Sequence, residues 1–117
     1  MAVFLANGSA LTAPKPVSES SGSCTRGGFI NRVTSCTFPR LQGGEVRFNS
    51  FYTGLRRIDY TGGVGANVRV YTPTMREVYT CRIDRNQQSC DLSRQSDAHL
   101  EIFPDSDGTT NFILRGS

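Results

Sequence analysis

His99 is the only imidazole in the sequence, and on an extended strand it shares a face with Glu101, two residues on. With an arginine opposite, the pair would supply the acid, the base and the phosphate clamp of a ribonuclease-like cleavage. The plainer reading is a half-exposed histidine beside a solvated glutamate on the polar face of a strand. No other constellation points to catalysis. Gly-x-Ser-x-Gly does not occur, and four cysteines that pair with one another leave no thiol for a Cys/His nucleophile. The expectation is a chain that is not an enzyme and has no catalytic residue, with a His99/Glu101 hydrolase as an alternative.

Metal and phosphate chemistry fare similarly. Asp105, Ser106, Asp107, Gly108 and Asn111 make half of a calcium loop, but the remaining carboxylates are missing and an Asp-Gly turn accounts for the run. Cys24, Cys36, Cys81 and Cys90 contain no C-x-x-C and have one histidine to draw on, a poor basis for zinc. Gly62-Gly63-Val64-Gly65 precedes a strand, so it reads as a hairpin connection rather than a phosphate cradle. No metal and no cofactor is expected.

The four cysteines read instead as two disulfides. Three pairings are open; the local one, Cys24 with Cys36 and Cys81 with Cys90, is preferred because each pair brackets a polar stretch able to turn back on itself. Each bridge would then remove about 3 kcal/mol of unfolded-state freedom. Such bridges imply an oxidising setting, extracellular, periplasmic or virion. The opening Met-Ala-Val-Phe-Leu-Ala lacks the basic region and the long apolar core of a signal peptide, and no stretch is long enough for a membrane span.

A formal charge of +3 is carried by twelve arginines and Lys15 against ten acidic residues. Arg47, Arg57, Arg69 and Arg82 would line a sheet face with Asn67 and Tyr71, a surface able to meet single-stranded nucleic acid through phosphates and stacking. The same residues describe any solvated antiparallel face.

Strands must position all of these groups. The 117 residues suit one domain, and abundant glycine with seven phenylalanines and no tryptophan favours turns and strands. Alternating segments at 45–52, 55–60, 66–72, 77–83, 99–103 and 111–114 are broken by Gly-Gly, Pro and Asp-Gly. Residues 77–90 have a hairpin pattern whose polar tip, Asp84, Arg85, Asn86, Gln87, Gln88 and Ser89, would be pinned at its neck by the Cys81–Cys90 bridge. That tip, with Arg47, Arg69 and Tyr71, is the candidate binding surface. Residues 1–23 read as an extended arm stiffened by Pro14 and Pro16, and residues 24–117 as a single β domain. The expected fold is all-β: a small antiparallel sandwich or barrel of six to eight short strands, with an extended N-terminal arm and disulfide-closed loops.

The run Ser89-Cys90-Asp91-Leu92-Ser93-Arg94-Gln95, continuing through His99-Leu100-Glu101-Ile102-Phe103, resembles the region around the cysteine-linked loop in coat proteins of small RNA phages. Those coats end in long amphipathic helices, whereas only residues 108–117 follow the last turn here. The resemblance is therefore short and implies no membership. The functional expectation is a structural subunit, of virion-coat, filament or surface-layer type, that forms a homo-oligomer through the arm and the bridged loop. A secreted monomeric binding module, inhibitor or lectin-like, is the other alternative to the hydrolase.

Overall fold

The computed structural model describes residues 19–28, 33–39 and 50–116. Nine strands run through them in chain order: β1 (Glu19–Gly27), β2 (Val33–Thr37), β3 (Phe51–Tyr52), β4 (Leu55–Gly63), β5 (Ala66–Tyr71), β6 (Glu77–Ile83), β7 (Ser89–Asp91), β8 (Ala98–Pro104) and β9 (Gly108–Gly116). One 3-10 turn, Ser93–Gln95, lies between β7 and β8. A five-stranded sheet has the order β2-β1-β9-β4-β7 and a four-stranded sheet the order β3-β8-β5-β6. Every pairing is antiparallel. This is the all-β sandwich expected from the alternation, with nine strands rather than six to eight.

Period-two patterning builds the core directly. Ala66, Val68 and Val70 of β5 point inward while Asn67 and Arg69 point out. Ile58 of β4, Ile83 of β6, Leu100 and Ile102 of β8, and Phe112 and Leu114 of β9 close the layer from both sheets, all at 2% exposure or less. Each contributes about 1.5–3 kcal/mol through burial. Tyr52 is also fully buried, and its hydroxyl donates to the Pro39 carbonyl at 2.6 Å. Burial raises its pKa far above the ordinary phenol value.

Both disulfides pair locally, Cys24 with Cys36 and Cys81 with Cys90, yet they tie different things. Cys24 and Cys36 are cross-strand partners on β1 and β2 within one sheet. Cys81 lies on β6 and Cys90 on β7, strands of opposite sheets. The expected 77–90 hairpin is therefore corrected. Residues 84–88 are a crossover between sheets, because the partners of β6 and β7 are β5 and β4 rather than each other.

Two further boundaries move. Gly62 and Gly63 are the last two residues of β4 rather than the turn after it. Gly63 has a φ of +84°, and a side chain there would collide with the Thr109 carbonyl of β9. The reversal comes at Val64 and Gly65, fixed by the Val64 N–H to the Thr109 carbonyl at 2.9 Å and the Thr110 hydroxyl to the Val64 carbonyl at 2.6 Å. The polar residues 19–23, read as the end of the arm, are already strand. Glu19 through Ser23 pair with Arg115 through Asn111 of β9, so backbone pairing orders a stretch whose side chains have little to bury. Residues 1–18, which hold the rest of the arm, lie outside the described residues, as do Arg47 and most of the expected 45–52 strand.

Candidate interaction surface

The bridged crossover is held from three sides. The Asp84 carboxylate accepts hydrogen bonds from the backbone N–H groups of Asn86 at 2.8 Å and Gln87 at 2.6 Å, a local turn that an Asp side chain is suited to make. The Asp84 N–H donates back to the Gln87 carbonyl at 2.9 Å, and the Gln88 carbonyl accepts the Tyr60 N–H of β4 at 2.7 Å. Arg82 of β6 then joins this turn to the β8–β9 connection. Its guanidinium donates to Asp84 Oδ2 at 3.0–3.1 Å, to both Asp105 oxygens at 2.7 and 2.9 Å, and to Asn67 Oδ1 at 3.0 Å. Gly65 lies beneath the junction, where a Cβ would sit 2.7 Å from Asp84 Cβ and 3.1 Å from both Arg82 Nη2 and Asp105 Oδ2. Its missing side chain lets the three charged groups meet.

The electrostatics follow from these contacts. The Gln87 N–H, then the Arg82 guanidinium, hold Asp84 below the usual carboxylate pKa. Arg82 does the same to Asp105, so these carboxylates are occupied by a cation the chain supplies itself. Of the expected tip, Asp84 is thus a structural group and Ser89 already belongs to β7, while Arg85, Asn86, Gln87 and Gln88 are exposed.

On the outer face of the four-stranded sheet, the β5–β8 register sets Arg69 opposite Glu101 and Tyr71 opposite His99. The Tyr71 hydroxyl donates to Glu101 at 2.5 Å, and the Arg69 guanidinium stands 4.8 Å over the Phe103 ring. An arginine does lie across from the His99/Glu101 pair. His99, however, is buried at 8% exposure rather than half-exposed, since Phe51, its partner on β3, stacks 4.9 Å from its ring. Burial lowers its pKa from the ordinary histidine value and favours the neutral imidazole. A crevice of about 290 Å³ opens beside Glu101, lined also by Thr34, Cys36 and Phe38.

The expected arginine face does not assemble. Arg57 is on β4 of the other sheet, ion-paired with Asp59 at 2.9 Å, and Arg47 is outside the described residues. Burial alone would raise the Asp59 pKa, but hydrogen bonds from Arg115 and Ser89 and the Arg57 charge outweigh it and hold the carboxyl low. Arg69 and Arg82 share their sheet face, where Glu101 stands opposite Arg69 and Asp84 and Asp105 bind Arg82. Carboxylates therefore offset the positive charge that phosphate recognition would use.

Two groups went unnoticed in the sequence. Among the described strands β6 is an edge strand, and the β5 register shift leaves Val78 as an extra residue, 40% exposed, between Glu77 and Tyr79. Just before it, Met75 is 58% exposed and has a φ of +67° in the β5–β6 turn. A methionine inside the polar turn after Pro73 was the available signal; the bulge had none. Among the described residues, no cluster of His, Cys, Asp and Glu could hold a metal ion, and no helix is long and apolar enough to cross a membrane. Compared with known proteins, the chain matches no protein-family model, no curated protein and no solved structure.

Proposed function

We propose that this chain is a non-enzymatic structural subunit, of the virion-coat, filament or surface-layer kind, that associates with copies of itself in an extracellular, periplasmic or virion setting. The observation that carries this reading is the side of the sandwich where β6 ends its sheet. There an edge strand, paired with β5 and with no described strand on its other side, carries exposed Val78, follows exposed Met75 and leads at its far end into a disulfide-anchored loop, and edges of this kind are what assembling β proteins use to pair chain with chain. The two disulfides are compatible with an oxidising environment. Sedimentation velocity over a wide concentration range tests the proposal. Mass-dependent assembly is expected. A monomer at every concentration would remove the reading in favour of a secreted binding module presenting Arg85 to Gln88.

One observation favours a second reading. The β5–β8 register places Arg69 and Tyr71 across from Glu101 and His99, with the crevice alongside, and Glu101 as base with Arg69 as clamp is a hydrolase arrangement. Incubation with single-stranded RNA tests it: cleavage by the native chain, lost in Glu101→Gln, would support hydrolysis, and no cleavage by the native chain would end it.

A further inference from the structure

We propose that the open edge of β6 receives the apolar head of the N-terminal arm, residues 2–6, from a second copy of the chain as an added strand. The inference rests on the assembly reading and names its contact. Three observations meet here. First, β6 pairs with β5 on one side and with no described strand on the other. In an antiparallel ladder alternate residues direct their N–H and C=O groups to opposite sides, so every second residue of β6 offers a donor and an acceptor outward. Second, the edge is guarded only at its start, by Glu77 and the bulge at Val78. β6 carries no lysine and no proline, and Arg82, its one cation, is turned back onto Asp84 and Asp105.

Third, the chain holds a segment of matching chemistry. Ala2-Val3-Phe4-Leu5-Ala6 has no charge, no proline and no glycine, a composition suited to β-addition. A Ser/Pro/Gly/Ala tether, residues 7–18, joins it to Glu19, where β1 begins. Twelve extended residues span up to about 40 Å, enough to reach a neighbouring subunit. Added to β6, the segment would lay alternate side chains over Val78 and Met75, the exposed apolar residues at the start of that edge.

The test uses the full chain with p-benzoylphenylalanine in place of Phe4, irradiated and digested with trypsin after reduction. Cleavage after Arg76 and Arg82 isolates the peptide 77–82. The expected result is an intermolecular adduct on that peptide, its yield falling about tenfold with Val78→Lys, which places a charge on the edge. In chains without the photoprobe, Val78→Lys and Phe4→Asp should each shift the assembly to monomer, with a melting temperature close to that of the native chain showing that the sandwich is intact in both variants. Val33→Lys, on the β2 edge, should change neither readout. Assembly that persists in Val78→Lys, with adducts elsewhere or on a second β6, would overturn this contact and leave the assembly reading intact. A native chain monomeric throughout would remove both, and an adduct formed within one chain would show the arm capping its own edge and overturn exchange between copies.

Discussion

The two disulfides close loops of nearly equal length, yet they act on different levels of the fold. Their sequence separations are 12 and 9 residues, so chain entropy assigns them similar values, about 2.5–3 kcal/mol each. What they join in the folded state separates them. Cys24 and Cys36, with Cα atoms 4.0 Å apart, fasten two strands that a five-residue ladder already pairs. Cys81 and Cys90, 6.2 Å apart, connect strands with no ladder between them, where the two sheets meet beside the 84–88 crossover. A bridge that repeats a contact and a bridge that is the contact look alike in a sequence.

Removing each bridge should break the resemblance between them. Replacing Cys81 and Cys90 by alanine should cost the most, about 3–4 kcal/mol in urea unfolding, with faster amide exchange through β6, β7 and the crossover. The corresponding change at Cys24 and Cys36 should cost about 2–3 kcal/mol, with faster exchange confined to β2 and its pairing with β1. Equal costs with global exchange in both would contradict the distinction.

A smaller effect belongs to His99. Its folded pKa is lowered, so below about pH 6.5 the unfolded chain takes up the proton first and stability falls as pH drops toward the folded value. His99→Phe should flatten that part of a melting-temperature profile. A slope of the same size in the variant would assign it to other groups. Asp84 and Asp105 act lower: their contribution is complete above about pH 4 and is lost as the pH falls through their depressed folded values.

Arg82→Met should have the smallest effect on global stability, since the side chain is 40% exposed and its ion pairs are screened by solvent. Its signature is local, with faster exchange at Asn86 and Gln87 and little change in the β1–β2 corner. If the two regions responded alike, the crossover would not be held by this junction.

What could be read in advance divides by range. The alternation of Ala66, Val68 and Val70 declares both the strand and its buried face, because a period of two leaves no other arrangement for one apolar face. Local cysteine pairing was legible for the same reason, proximity in the chain. The partner strands of β6 and β7 were not, since a polar tip between two cysteines fits a hairpin and a crossover equally. The Arg82 junction was hidden too: Asp105 comes from 23 residues away and reads locally as a turn residue. Burial of His99 depended on Phe51, 48 positions earlier, arriving opposite it on β3.

One consequence concerns the order in which the chain is made. β9 is the central strand of the five-stranded sheet, flanked by β1 and β4, and it is the last of the nine to be synthesised. Until it emerges from the ribosome, the β1–β2 pair and the β4–β7 pair are separate pieces with raw edges, and Phe112 and Leu114 are absent from the interior. Both disulfides join strands already made by then. An oxidant could tie β1 to β2, and β7 to β6 of the other sheet, before the keystone arrives, leaving the final insertion to proceed between a sealed ribbon and a β4–β7 pair anchored across the sandwich.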